Sequence, residues 1–228
     1  MLSYFSIGEW ILWGASVLLI AASFVLFDRA NYLTLAASLI GVTSLIFNAK
    51  GNPLGQALMI VFSVLYGIIS YSVSYYGEMI TYLGMTAPMA AFALFSWLKN
   101  PYHGNRAEVR VNRISRREVL FLCALTAAVT AGFCFILKAL GTANLIPSTI
   151  SVTTSFLAVY LTFRRSACFA LGYAANDIVL IVLWIMATAE NISCLSVVIC
   201  FVVFLVNDIY GFISWAKMKQ RQSREESE

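Results

Sequence analysis

The sequence predicts an all-α integral membrane protein, one membrane domain built from eight transmembrane helices. Of its 228 residues, 61% are hydrophobic and 11% are charged, whereas about a quarter of the residues in an ordinary soluble domain are charged. The apolar residues also form runs of about 20, the length that crosses a hydrocarbon core of roughly 30 Å. These runs are continuous rather than alternating, which excludes a transmembrane β-barrel.

Eight apolar runs divide the chain. We place the spans at 9–27, 31–48, 55–75, 78–97, 118–140, 146–163, 167–188 and 192–215. The first run has no preceding Lys or Arg and no small-residue cleavage pattern after it, so we interpret it as a retained span rather than a signal peptide. The segment 98–117 is predicted to be a basic loop. The segment 216–228 is predicted to be a polar tail that frays from Gln220 onward.

The distribution of basic residues predicts the orientation. With eight spans, all but two of the 15 Lys and Arg residues fall on one side of the membrane, the exceptions being Arg29 and Lys138. Cytoplasmic loops carry such an excess of Lys and Arg. Both termini and the basic loop are therefore expected to face the cytoplasm, and the net charge of +4 does not indicate a nucleic-acid partner.

The order of the spans suggests an internal repeat. Two three-helix blocks, 31–97 and 146–215, are joined by a linker helix at 118–140, and the helix at 9–27 precedes them. Short matches relate the two blocks, namely Thr43-Ser44 to Thr154-Ser155 and Ser96-Trp97 to Ser214-Trp215. Three helices invert the chain and one extra span restores its direction, so this 1+3+1+3 plan gives two parallel repeats, as in SWEET-type transporters. We expect substrate to bind between the repeats.

Polar residues near the middle of the spans are the candidates for substrate binding, because a polar group inside a membrane is costly. Asn176 lies 11 residues from Arg165, and Asn207 lies 10 residues from Lys217. With a rise of about 1.5 Å per residue, both amides are expected at the same depth. An aspartate, Asp177 or Asp208, follows each asparagine.

Further candidates share helix faces with these residues or lie at similar depth. The predicted substrate-binding residues are Asn176, Asn207, Tyr210, Tyr173, Ser155, Tyr82, Tyr66 and Trp184. Asp177, Asp208 and Glu78 are assigned structural or gating roles. Aromatic rings stack on a flat heterocycle while amides bond to its edge. The alternative is that the Asn-Asp pairs are interhelical hydrogen bonds that only hold the bundle together. Trp97 and Trp215 are predicted to be interfacial anchors.

Motifs for other chemistries are absent from the sequence. There is no phosphate-binding loop, H-E-x-x-H or G-x-S-x-G motif, the five cysteines show no C-x-x-C spacing, and His103 is the single histidine. The sequence therefore predicts no metal, no cofactor and no enzymatic activity. An integral membrane enzyme using Asp177 and Asp208 as an acid/base or metal pair is the less favoured alternative.

At these residues the sequence resembles the PnuC family of nicotinamide riboside transporters. The first block is similar over Gly41 to Trp97, and the second over Ile146 to Trp215. The motifs that carry the resemblance occur in the expected order, namely Tyr66-Gly67, Tyr76-Gly77-Glu78, Tyr82, Trp97, Pro147, Ser155, Arg164-Arg165, Asn176, Gly211 and Trp215.

The resemblance implies a facilitator in a bacterial cytoplasmic membrane that takes up nicotinamide riboside down its gradient, with cytoplasmic phosphorylation trapping it. It also implies a homotrimer. The sequence departs from the family pattern at Val159-Tyr160, where the family often has Gln-Trp, and at Phe169 and Gly172, where it has tryptophans. Tyr160 supplies one ring for stacking. These departures leave thiamine or riboflavin, carried by relatives in the superfamily, as alternative substrates.

Overall fold

A computed structural model describes residues 4–142 and 144–227 of the chain, and the described residues form eight helical spans. The helices are α1 (Ile7–Phe27), α2 (Tyr32–Ala49), α3 (Pro53–Ser72), α4 (Tyr76–Ile80), α5 (Ala87–Lys99), α6 (Arg116–Ala139), α7 (Leu145–Phe163), α8 (Phe169–Thr188) and α9 (Leu195–Glu225). A π-helical segment, Thr81–Thr86, joins α4 to α5, and the three pieces make one span. A 3₁₀ turn, Ile192–Cys194, leads into α9. The predicted all-α membrane class and its eight spans are confirmed.

Local sequence explains where several helices begin. Ser6 caps α1 in a capping box with Glu9, each side chain bonding to the other residue's backbone N–H. Asn52 caps α3, whose first residue is Pro53, a position where the missing proline N–H costs nothing. Ser115 caps α6 by accepting a hydrogen bond from the backbone N–H of Glu118.

The helices form a core bundle with two peripheral members. In the core, α2 packs against α3 and α9, α8 packs against α7 and α9, and the span containing α5 packs against α3 and α7. α1 contacts α2 and α9, and α6 contacts α7. Both peripheral helices bury few side chains, with four buried residues in α1 and three in α6. Their apolar faces are available to lipid.

The basic loop contains structure that the sequence analysis did not predict. Two short antiparallel strands, β1 (Pro101–Tyr102) and β2 (Asn105–Val109), form a hairpin. The hairpin packs against the end of α9, where Tyr102 Oη donates to Glu225 (2.6 Å) and Gln222 Nε2 donates to the backbone carbonyl of Val109 (3.1 Å). The predicted fraying of the tail is therefore wrong up to Glu225, because the hairpin supplies hydrogen-bond partners that continue the helix.

Trp97 and Trp215 do not act as interfacial anchors, and this prediction is wrong. Both are buried, and their rings pack together with centroids 5.3 Å apart. Trp97 Nε1 donates to the backbone carbonyl of Thr162 (3.0 Å), and Trp215 Nε1 donates to that of Asn48 (2.7 Å). A buried indole N–H needs such a partner, and the last turns of α7 and α2 provide it.

The neighbouring serines repeat the same arrangement. Ser96 Oγ donates to the carbonyl of Phe163 (3.2 Å), and Ser214 Oγ donates to that of Ala49 (2.7 Å). Each Ser-Trp pair thus bonds to the last two residues at the end of the first helix in the other block. Reciprocal contacts of this kind are expected of two repeats related by a two-fold axis along the membrane normal.

Candidate functional site

The centre of the candidate site is the buried amide of Asn176. This residue is 1% exposed. Its Oδ1 atom accepts hydrogen bonds from three hydroxyl groups of α7, those of Ser151 (3.2 Å), Thr154 (2.9 Å) and Ser155 (2.9 Å). The structure therefore brings the predicted residues Asn176 and Ser155 into direct contact. Ser151 was not predicted, although it lies four residues before Ser155 on the same helix face.

Glu78 extends this cluster to a third helix. It is fully buried in α4, and its Oε2 atom accepts a hydrogen bond from Ser151 Oγ (3.2 Å). Its Oε1 atom is also buried and has no hydrogen-bond partner among residues 4–142 and 144–227. Ser151 Oγ lies 3.2 Å from both Glu78 Oε2 and Asn176 Oδ1, and its single proton serves one of these acceptors at a time. Through this hydroxyl a continuous polar chain links α4, α7 and α8. A chain with one unsatisfied carboxylate oxygen is unusual in a protein interior and is typical of a ligand site.

Three predicted aromatic residues lie together beside this polar chain. Trp184 Nε1 donates to Tyr66 Oη (2.7 Å), and the ring of Tyr66 meets that of Tyr82 edge to face at 4.3 Å between centroids. Phe62 stacks on Tyr66 at 5.6 Å. Glu78 lies four residues before Tyr82, about one helical turn away on the same span. The aromatic cluster and the polar chain are therefore adjacent parts of one buried region.

The π-helical segment supplies one of these rings. Tyr82 lies within Thr81–Thr86, and the hydroxyls of Thr81 and Thr86 are buried without hydrogen-bond partners in the described part of the chain. A π-helical turn widens the helix and is found mostly at functional sites. The sequence analysis placed Tyr82 on an ordinary helix and missed this segment, because single-turn π-helices have no simple periodic signature.

The two aspartates lie at the contact between α8 and α9. Asp177 and Asp208 are both 4% exposed, and their carboxyl groups are within interaction distance of each other. Tyr173, another predicted residue, lies one helical turn before Asp177 on α8 and packs edge to face against Phe169 at 6.2 Å. Their position at a helix contact fits the structural role predicted for the aspartates, which stays a prediction.

Asn207 and Tyr210 are not part of this cluster. Asn207 Nδ2 donates to Ser16 Oγ of α1 (3.0 Å), and Tyr210 Oη donates to Glu9 Oε1 of α1 (2.8 Å). Lys50 forms an ion pair with Glu9 at 3.4 Å. Asn207 turns toward the peripheral helix α1 and Asn176 turns toward α7, so the two amides predicted at one depth lie in different surroundings. Substrate contact by Asn207 and Tyr210 stays a prediction.

Tyr160 and other residues that depart from the family pattern make contacts outside the Asn176 cluster. Tyr160 Oη donates to Glu118 (3.3 Å), which pairs with Arg164 at the end of α7. Phe169 packs against Trp215 with centroids 4.8 Å apart. Gly172 lets α8 approach α7 closely, because a Cβ there would lie 2.9 Å from the Cα of Ala158. Tyr160 therefore belongs to an ion-pair group at the α6–α7 contact.

Two cavities lie outside the candidate site. An apolar cavity of about 340 Å³ lies against α1 and α2 and is lined by Phe5, Trp10, Trp13 and Phe47 among others. A polar cavity of about 320 Å³ lies beside the hairpin and includes Arg110, Arg113, Arg165 and Lys219. Burial and the nearby Arg164 and Arg110 lower the pKa of Arg165. In the Asn176 cluster, by contrast, Asn176, Ser151, Ser155 and Glu78 are buried and Thr154 is partly buried.

A bundle of eight spans that encloses a polar cluster and aromatic rings at its centre defines a polytopic membrane transporter. Within residues 4–142 and 144–227, no three His, Cys, Asp or Glu side chains are grouped to hold a metal ion. Residues 31–217 match the family model described as the nicotinamide mononucleotide transporter, and the chain belongs to this family. The match begins after α1 and includes every residue of the candidate site.

Individual proteins agree with the family assignment. The chain is 28% identical over 216 residues to the nicotinamide riboside transporter PnuC of Neisseria mucosa, covering 92% of this chain and 82% of that protein. It is 21% identical over 196 residues to PnuC of Haemophilus influenzae, covering 84% and 82%. A crystal structure of the vitamin B3 transporter PnuC superimposes with a TM-score of 0.84 at 24% identity, covering 96% of this chain and 94% of that one. That likeness confirms the fold.

Proposed function

We propose that this transporter takes up nicotinamide riboside by facilitated diffusion. The observation that carries the proposal is the largely buried cluster at Asn176, where an amide, three hydroxyls and a carboxylate lie near the rings of Tyr66, Tyr82 and Trp184. The relatives from Neisseria mucosa and Haemophilus influenzae, both named as nicotinamide riboside transporters, support the same substrate.

The chemistry of the cluster suits this ligand. Nicotinamide riboside has a flat pyridinium ring with a carboxamide, and a ribose with several hydroxyl groups. Aromatic side chains stack on such a ring, while amide and hydroxyl side chains donate to and accept from the carboxamide and the ribose. The apolar surroundings with a few convergent polar groups are those of a small-molecule site.

The charge of the interior favours the riboside over its mononucleotide. The buried charged residues among those described are all acidic, namely Glu9, Asp28, Glu78, Asp177 and Asp208. A phosphate group in a dry site needs Arg, Lys or several backbone N–H groups. An acidic interior repels a phosphate and accepts a cation, so we expect nicotinamide mononucleotide to be a poor substrate.

The proposed mechanism is passive. The sequence contains no nucleotide-hydrolysis motif, and the ligand is expected to bind and dissociate as the two blocks rearrange around the Asn176 cluster. Net uptake then depends on the concentration gradient, and we propose that cytoplasmic phosphorylation of the riboside maintains it. The chain itself is proposed to do no chemistry on the ligand.

The proposed location is a bacterial cytoplasmic membrane with both termini in the cytoplasm. The support is the distribution of the 15 Lys and Arg residues. All but Arg29 and Lys138 fall on the side of the hairpin and the end of α9. A homotrimer is proposed in addition. The exposed apolar residues of α6, such as Leu120, Phe121 and Phe135, offer a face that a second copy or lipid can cover. Native mass spectrometry in detergent would distinguish a trimer from a monomer.

Uptake into liposomes tests the function directly. Purified protein in liposomes should accumulate labelled nicotinamide riboside to the external concentration and no further, with saturation kinetics. Unlabelled nicotinamide riboside should compete, whereas nicotinamide mononucleotide, thiamine and riboflavin should compete weakly. Stronger competition by thiamine or riboflavin would assign the other vitamin. Recovery of chemically altered riboside from the vesicles would support an enzyme instead, and no flux above protein-free vesicles would contradict the proposal.

A further inference from the structure

We propose that Glu78 is the counter-ion for a positively charged ring of the ligand, so that the site selects a cationic heterocycle over a neutral one of the same shape. This inference rests on the proposed transport of nicotinamide riboside, whose pyridinium nitrogen carries one positive charge. It assigns substrate contact to a residue for which the sequence indicated only a structural or gating role.

The first support is that Glu78 pairs with no cationic group of the residues that the structure describes. Glu78 is fully buried, and Ser151 Oγ is the donor to its Oε2 atom (3.2 Å). Other glutamates have basic partners, such as Glu9 with Lys50 and Glu118 with Arg164. Glu78 has no ion pair among the described residues, and its Oε1 atom is buried without a donor. A buried carboxylate without a partner is strongly unfavourable unless something neutralises it.

The second support is the set of groups around Glu78. Ser151 bridges it to Asn176, so the carboxylate belongs to the same polar chain as the central amide. Tyr82 follows Glu78 by four residues, about one helical turn further along the same span, and the ring of Tyr66 lies 4.3 Å from that of Tyr82 between centroids. A carboxylate beside electron-rich aromatic faces is the arrangement that recognises quaternary nitrogen cations, through ion pairing and cation–π attraction together. A neutral ring would gain stacking alone.

The remaining buried acids fit this role less well. Asp177 and Asp208 lie beside each other at the contact of α8 and α9, outside the Ser151–Asn176 chain. Glu9 already has Lys50 and Tyr210 as partners. Asp28 follows the last residue of α1 and accepts from Ser196 Oγ (3.3 Å). Glu78 is the acid that combines an unsatisfied oxygen with a hydrogen-bonded link to Asn176.

The charge can be tested separately from the shape of the ligand. The 1,4-dihydro form of nicotinamide riboside keeps the carboxamide and the ribose but has a neutral ring. Wild-type protein should bind nicotinamide riboside at least about 10-fold more tightly than the dihydro form, because ion pairing in a site of low dielectric is strong. In Glu78→Gln, affinity for nicotinamide riboside should fall about 10- to 100-fold, while affinity for the dihydro form should change less than about 3-fold.

Two further variants serve as controls. Glu78→Asp keeps the charge and should retain at least part of the preference for the cation. Asp28→Asn is the matched control, because Asp28 is also a buried carboxylate (9% exposed) with a serine donor. Asp28→Asn should leave both affinities within about 3-fold of wild type. Calorimetry on detergent-purified full-length protein gives all of these affinities, and the dihydro form also reports whether each variant is folded.

Several results would overturn the inference. Equal losses for both ligands in Glu78→Gln would show that Glu78 only holds the helices, and equal retention would show that its charge does not act on the ligand. Equal affinity of the wild-type protein for the two forms would also show that the charge of Glu78 does not act on the ligand. Failure of wild type to bind nicotinamide riboside would contradict the proposed substrate instead. Glu78→Gln would then be tested with thiamine, a quaternary cation, against neutral riboflavin, and equal effects on these would overturn the inference.

Discussion

The two Asn-Asp dipeptides of α8 and α9 have different surroundings, although the sequence places them at one depth. Asp177 and Asp208 face each other across the α8–α9 contact. Adjacent helical residues differ by about 100° in direction, so each asparagine turns away from that contact. Asn176 turns toward α7 and the hydroxyls of the candidate site, whereas Asn207 turns toward Ser16 of α1.

Two asparagines at the same depth in the membrane therefore need not have the same function. α7 belongs to the core bundle, while α1 is peripheral and buries four side chains. The family match also begins at residue 31, after α1. We therefore infer that Asn176 contacts substrate and that Asn207, with Tyr210, fastens α1 to the bundle.

The largest expected effect is on ligand affinity at Asn176. Asn176→Ala removes the amide on which three hydroxyls converge, and leaving polar groups unpaired in a binding site typically costs 1–3 kcal/mol each. We expect the KM for nicotinamide riboside uptake to rise at least about 30-fold. Asn207→Ala is the matched control and should change the KM less than about 3-fold. Similar increases in both variants would show that the two amides share one site.

A smaller effect on affinity is expected at Trp184. Trp184→Phe keeps a ring but removes the N–H that donates to Tyr66 Oη (2.7 Å), which frees one ring of the aromatic cluster. A rise in KM of about 3- to 10-fold is expected, consistent with a loss near 1 kcal/mol for one hydrogen bond. Trp13→Phe is the control, because Trp13 Nε1 donates to Thr43 Oγ1 (3.2 Å) on the α1 side. An equal rise in that variant would contradict the division.

At Asn207 the expected loss is of stability rather than of affinity. Interhelical hydrogen bonds in membranes contribute about 0.6 kcal/mol on average and up to about 1.7. Asn207→Ala and Ser16→Ala should each lower the thermal unfolding temperature in detergent by a few degrees. The double variant should lose less than the sum of the two, since they share one bond at 3.0 Å. Strict additivity would show that the Asn207–Ser16 contact contributes nothing.

The smallest effect is expected at Tyr210. Tyr210→Phe removes the donor to Glu9 Oε1 (2.8 Å), but Glu9 keeps Ser6 and Lys50 as partners. We expect a stability loss below about 1 kcal/mol and uptake kinetics equal to wild type. A change in KM larger than about 3-fold would place Tyr210 with the substrate, as the sequence analysis had suggested.

The reciprocal Ser-Trp contacts support the internal repeat that the sequence predicted. Trp97 lies near the end of α5, and Trp215 lies within the longer helix α9. Each bonds to the end of the other block's first helix, so the two residues occupy equivalent places in the two blocks. We infer that 31–97 and 146–215 are the two repeats and that α1 and α6 lie outside them. The sequence supplied the matching dipeptides. Their reciprocal bonding was visible only in three dimensions.

The number of spans and their approximate bounds could be predicted from the sequence alone, as could the candidate residues Asn176, Ser155, Tyr66, Tyr82 and Trp184. Hydrophobic length and the cost of buried polar groups are local properties, so they can be recognised without knowing the fold. The tertiary structure decided how each helix is rotated about its axis and which helix it faces. Those depend on packing between residues far apart in the chain, and they separate Asn207 from Asn176 and join Glu78 to it through Ser151.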